Sequence, residues 1–180
     1  MKKRPRINMK ERMGEIVVDP EKFIANKGSD NAKKVDETQN IIHIDIWHDK
    51  HFEERHKKGE DNGIKREGIE PEIVKDMLLK SLNHIFHYSA NGSFSFLNMM
   101  RLKWAKRLVL QSATNNGMLN VVVEFYYVEK ARYEATIVTA ICKDDFQISD
   151  GQFMISMDDT GSRLYRRVKG KVVITDSFSN

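Results

Sequence analysis

Two strongly β-prone runs, LNVVVEFYYV at 119–128 and YEATIVTAIC at 133–142, stand only a polar EKAR segment apart. They constrain the fold more than anything else in the chain. Valine, isoleucine, threonine and the aromatics suit the pleated, half-buried surface of a sheet. A short polar link between two such runs folds them into an antiparallel hairpin. NNG at 115–117 is a second turn signal just upstream, so RLKWAKRLVLQSA before it reads as a strand in its second half. Downstream, QFMISM, RLYRRV and KVVITD supply shorter strands separated by DDTGS and KG.

Helical spacing appears earlier. EPEIVKDMLLKSLNHIFHY carries Pro71 near its first turn and Ile73, Met77, Leu78, Leu82, Ile85 and Phe86 at three- and four-residue intervals, the pattern of an amphipathic helix. Upstream of it, NIIHIDIW reads as a strand ending at about Trp47, after which Asp49 caps a helix through HFEERHKK and Gly59 ends it. The intervening KKGEDNGIKREG reads as an exposed loop. Helices first and consecutive strands afterwards is the segregated order of an α+β fold. The expectation is two N-terminal helices packed on a twisted, mainly antiparallel sheet. Residues 1–40 read as a basic, partly flexible arm with one packed strand or turn at EIVV (15–18), and residues 41–180 as a single α+β domain.

Composition limits what such a domain does. A chain of 180 residues buries a core without needing disulfides or metal. No apolar run approaches the roughly 20 residues that span a bilayer, so no membrane partner is expected. The basic N-terminus lacks the apolar stretch and cleavage site of a secretory signal. The expected location is therefore the cytoplasm, that of the host if the chain is viral. The single cysteine, Cys142, lies in the apolar segment ATIVTAIC and reads as a buried, inert thiol. The net charge of +4 is modest, but its distribution is not. Residues 1–12 hold six Lys or Arg against one acid, 101–107 hold four against none, and 163–171 hold five against none. Brought together, such stretches attract phosphate; left apart, they serve solubility.

WHDKHFEERH (47–56) concentrates three histidines. His48, His51 and His56 lack the i, i+4 spacing by which two histidines on one helical face bind zinc, and the residue four after His51 is the cation Arg55. No metal or other cofactor is expected. His51 falls in the first turn behind the Asp49 cap, where unpaired backbone N–H groups favour a neutral, proton-accepting imidazole. Arg55, one turn later, is suited to gripping a phosphate with two parallel hydrogen bonds. A proton acceptor beside a phosphate anchor is what cleavage of RNA by its own 2′-hydroxyl requires, together with an acid for the leaving 5′-oxygen. His84 and His87, near the end of the long helix, are candidates for that acid, His84 the better; equally, both suit a cation at a helix C-terminus. Arg163, Tyr165 and Arg167 share one face of a strand and offer stacking and phosphate contacts, as Arg101, Lys103 and Arg107 offer charge. A charged edge strand that resists aggregation has the same composition.

The order IIHIDIWHDKHFEERH, REGIEPEIVKDMLLKSLNHI, NVVVEFYYV and YEATIVTAI resembles the RelE, barnase, EndoU and colicin-type endoribonuclease superfamily, in particular its phage RegB-like members, over residues 41–142. The features carrying the resemblance are His51 and Arg55 on a helix after a strand, Arg66 and Ile69 before a second helix, and the later paired strands. It implies a metal-independent endoribonuclease, of phage or toxin type, cleaving RNA by 2′-hydroxyl transphosphorylation. By the same resemblance His51 is the base, Arg55 the phosphate ligand and Thr139 a site hydroxyl, with RNA and an inhibitor or host protein as partners. Strand alternation instead sets Thr139 with Tyr133, Ala135, Ile137 and Ile141, a set suited to a core face. The alternative function is a noncatalytic module binding nucleic acid or a host protein; a structural or assembly role comes third.

Overall fold

The computed structural model describes residues 22–26, 28–39, 42–58, 60–61, 64–65, 68–94, 106–129 and 131–179. Arg66, Arg101, Lys103 and the apolar cluster at 15–18 lie outside them. The elements are β1 (Ala32–Gln39), β2 (His43–Asp49), α1 (Lys50–Lys58), β3 (Glu60–Asp61), β4 (Ile64–Lys65), α2 (Pro71–Ala90), β5 (Lys106–Thr114), β6 (Gly117–Glu129), β7 (Arg132–Cys142), β8 (Phe153–Asp158), β9 (Gly161–Val168) and β10 (Lys171–Ser179).

Eight strands form one sheet in the order β1-β2-β7-β6-β5-β8-β9-β10, while β3 and β4 pair separately within the expected loop. This corrects the expected fold in two respects. The helices are not both N-terminal, since two strands precede α1 and two more separate it from α2. The sheet is mixed, because β2 runs parallel to β7 and β5 parallel to β8. The reason is long-range pairing. The β5–β6–β7 meander inserts between β2 and β8, and no local pattern announces that two strands far apart in sequence lie side by side. β1, read by sequence as part of the arm, is an edge strand antiparallel to β2.

α2 packs on one face of the sheet. Its buried residues are Val74, Met77, Leu78, Ser81, Ile85 and Tyr88, meeting Ile44, Leu110, Val121, Val123, Ile137 and Ile155 among others. The stripe is rotated from the expected one, leaving Ile73 51% exposed. On the opposite face, the segment after β7 folds back so that Phe146 and Ile148 cover Val109, Val122 and Met154. No helix among the described residues is long and apolar enough to cross a membrane.

β7 carries the irregularity that matters most. Ile137 pairs with Val123 and Thr139 with Val122, so Val138 is an extra residue, a β-bulge. Before it, Tyr133, Ala135 and Ile137 point into the α2-side core; after it, Ala140 and Cys142 do. Thr139 is thereby turned to the opposite face. The apolar grouping expected for Thr139 from simple alternation does not form.

Candidate nucleic-acid interface

α1 begins where β2 ends. The Asp49 carboxylate accepts the backbone N–H of His51 at 2.7 Å, the expected cap, and its other oxygen accepts the Ser29 hydroxyl proton. Two further ties fix the helix against the sheet. Phe52 enters the core, and the buried His48 ring, edge-on to Phe52 with centroids 4.8 Å apart, shares a 2.8 Å hydrogen bond between Nδ1 and Glu53 Oε1. His48 is therefore a strut between β2 and α1.

Burial pushes the His48 pKa down, and that outweighs the opposing effect of its hydrogen bond to Glu53. Its Nε2 is buried with no hydrogen-bond partner among the described residues. A second proton there would be buried unsolvated, whereas the unfolded chain accepts it near the ordinary histidine value of about 6.5. Stability linked to His48 is thus complete above that value and is lost as pH falls below it. Thermal melts from pH 7 to 5 are expected to show a decline that is reduced in His48→Gln. An unchanged profile in the variant would remove His48 as its source.

Beside this strut lies the candidate site. Arg55 Nη1 donates to Thr139 Oγ1 at 2.6 Å, joining α1 to the bulged part of β7. The pair borders a cleft of about 520 Å³ that Ile141, Lys143, Asp145, Phe146 and Gln147 complete. Arg167 Nη1 donates to the Ile148 carbonyl at 2.8 Å and to Gln147 Oε1 at 3.2 Å, tying the loop to β9. Lys143 lies 3.3 Å from the exposed carboxylate of Asp145.

The remaining expected residues divide between the faces. His51 is exposed in the first turn of α1, one turn before Arg55. Arg107, Arg163, Tyr165 and Arg167 lie on the cleft's face of the sheet, but with differing roles. Arg107 is paired with Glu124, Tyr165 packs its ring against the Val109 and Met154 cluster, and Arg167 holds the loop. Arg163 is exposed. The stacking platform expected of Tyr165 is therefore largely spent on packing.

His84 is on the other side, with α2. The hydrogen bonds around it fix its proton. Tyr88 Oη donates to the Ser162 carbonyl at 2.8 Å, so the Ser162 hydroxyl, also 2.8 Å away, must donate to Tyr88. Ser162 Oγ then accepts from His84 Nδ1 at 2.9 Å. Burial, with the adjacent His87, pushes the His84 pKa down, which opposes the expected C-terminal cation. His84 borders a separate cavity of about 670 Å³ with Asp76, Lys80, Asn83 and Asp158. The sheet stands between it and Arg55, so these two do not act on one bond.

Sequence reasoning missed Lys143, Phe146 and Gln147; the lone aromatic in the polar KDDFQ segment was the available signal. It also missed Glu37, His43 and Asp45, whose ligand atoms lie within 4.8 Å of one another. Lys34 Nζ stands 2.6 Å from both carboxylates, so an ammonium already takes the place of a cation there.

Comparison with family models, with curated proteins and with solved structures finds no match for this chain.

Proposed function

We propose that this chain binds single-stranded RNA through the cleft between α1 and the loop following β7. The observation that carries this reading is the coupling of Arg55 to Thr139 at the edge of a cleft that Lys143 and Phe146 also line. Guanidinium and ammonium groups suit the phosphates of an unpaired strand. The opposite face is less suited to a polyanion, since its cavity is bordered by Asp76, Asp158 and Asp159.

A second reading, metal-independent endoribonuclease, rests on His51 preceding Arg55 by one helical turn. A base there accepts the 2′-hydroxyl proton while Arg55 stabilises the phosphorane charge. His84 cannot be the acid of that mechanism from across the sheet, so water or another group must protonate the leaving oxygen.

One experiment separates these readings. Fluorescence anisotropy with labelled single-stranded RNA in excess chelator is expected to show binding that weakens steeply with salt, as counterion release requires. Arg55→Ala is expected to weaken it about tenfold, the loss of one charge-assisted contact. Saturable binding with intact RNA supports the module; products with cyclic-phosphate ends, lost in His51→Ala, support the nuclease. Failure to bind RNA at low salt would sink both.

A further inference from the structure

The sheet ends in two edges of opposite character. β1 has the features of an edge that resists pairing: it carries Lys33, Lys34, Asp36 and Glu37, and its register shifts at Val35. β10 does not. Val172, Val173 and Ile174 stand in succession, 49%, 42% and 60% exposed, so the strand offers apolar side chains on both faces. With Val168 they are four of the five large apolar side chains exposed among the described residues.

The backbone of β10 is open as well. A two-residue turn, Lys169 and Gly170, both at positive φ, joins it to β9. Arg167 gives its N–H to the Gln152 carbonyl and accepts the Gly151 N–H on its own carbonyl, so both groups point toward the β8 side, away from β10. Val172, opposite Arg167, therefore belongs to a non-hydrogen-bonded pair of the antiparallel ladder. It and Ile174, two residues on, turn their N–H and C=O groups outward. Among the described residues no strand receives them.

The order of side chains along β10 fits a second copy of the same strand. Val168, Arg166 and Leu164 alternate along β9 on the face that α2 covers, where Leu164 joins the core. Opposite them stand Lys171, Val173 and Asp176, the last brought to this face by the register shift at Thr175. An antiparallel copy with its two-fold axis at Val173 sets Val173 against itself and Val172 against Ile174, the residues with outward backbone groups. The same register brings Lys171 beside the second copy's Asp176, once on each side of the axis.

We propose that β10 is a homodimer edge, where two copies of the chain pair antiparallel about Val173 into one continuous sheet. Backbone hydrogen bonds at Val172 and Ile174 hold it, with apolar contact on both faces and a Lys171–Asp176 pair at each end. A two-fold axis perpendicular to the sheet leaves α2 of both copies on one side and both Arg55 clefts on the other.

Sedimentation velocity of the full chain from about 1 μM to about 1 mM, the span in which so short an interface associates, is expected to show a mass rising toward twice the 21.0 kDa of one chain. Hydrogen exchange at the Val172 and Ile174 amides is expected to slow over the same concentrations, while that at Val173, bonded to β9, stays slow throughout. Val173→Lys and Val173→Glu, both at an exposed position and checked for fold by circular dichroism, are each expected to remain monomeric, because like charges meet across the axis. An equimolar mixture of the two is expected to dimerise, because lysine then meets glutamate.

A parent chain monomeric at every concentration would overturn the proposal. So would a dimer that survives in each variant alone, which would place the interface elsewhere, and a mixture that stays monomeric, which would remove the two-fold at Val173. Val172 and Ile174 amides already slow in the monomer would show that the edge is covered within one chain, and would overturn it too. None of these outcomes depends on whether the Arg55 cleft binds RNA.

Discussion

Asp45→Ala is expected to destabilise the protein by about 3 kcal/mol, lowering the melting temperature by about 8 °C for a chain of this size. Asp45 is 3% exposed and joins three strands. From β2 it accepts Arg132 Nε at 3.0 Å and Nη2 at 2.9 Å from β7, and it lies 2.6 Å from Lys34 Nζ of β1. Removing the carboxylate leaves two cations facing each other beside His43, with Glu37 the nearby acid. Breaking a buried pair costs about 3–5 kcal/mol. The lower end applies because the Arg132 side chain is 40% exposed and water can screen it.

The pH dependence has a definite sign. Burial alone would raise the Asp45 pKa, but hydrogen bonds from Lys34 and Arg132 overcome it and hold the group below the ordinary carboxylate range. This stabilisation is complete above the unfolded value of about 3.9 and is lost as pH falls through the folded one. Asp45→Ala should therefore converge with the parent protein in strong acid and differ most at neutral pH. A melting temperature within about 2 °C of the parent at pH 7 would mean that the three-strand junction stabilises little. Because β2 delivers the chain into α1, the same variant is expected to weaken the proposed RNA binding indirectly, through the placing of Arg55.

What sequence reading recovered was local. The β6–β7 hairpin was legible because its residues are β-prone on both faces, and α2 because its apolar positions follow the helical repeat. The passage from β2 through the Asp49 cap into α1 was legible because a capping side chain acts within two residues. β1 was not. Its AKKVDETQ sequence is polar because it is an edge strand, held by ion pairs such as Lys34 with Asp45.

The candidate site was half legible for related reasons. The spacing of His51 and Arg55 is a property of one helix and could be read from seven or so residues. The arrival of Thr139 beside Arg55 depends on the bulge at Val138, which a sequence of alternating apolar residues does not reveal. The separation of His84 from Arg55 follows from which face of the sheet α2 covers, a choice made by the whole core. Lys143 and Gln147 become neighbours of Arg55 only because Phe146 and Ile148 draw their loop over the sheet.

The C-terminal edge provides the second large effect. Gly161→Ala is expected to cost more than about 3 kcal/mol, through a clash that local relaxation cannot relieve. Gly161 has φ +149°, and a Cβ added there would lie 2.0 Å from the Phe178 carbonyl oxygen and 2.9 Å from its carbon, both backbone atoms of the neighbouring strand. Gly161 pairs with Ser179 across β9 and β10, so β10 must move away. Phe178 would move with it, although its ring lies 4.2 Å from that of His87 and 5.3 Å from that of His84. The adjacent Ser162 would then loosen its hydrogen bonds to Tyr88 and His84. Gly151→Ala is the control. Its φ is +79°, yet nothing lies within 4 Å of the added Cβ, so only backbone strain of about 1 kcal/mol remains. Urea unfolding of both variants, with hydrogen exchange at the β10 amides, separates clash from strain. Equal losses in the two would show that the close approach of β10 to Gly161 is not what makes glycine necessary there. Protection lost across β10 in Gly161→Ala alone, with the Arg55–Thr139 region still protected, would show that the β9–β10 edge and the Arg55 cleft are energetically separate parts of one sheet.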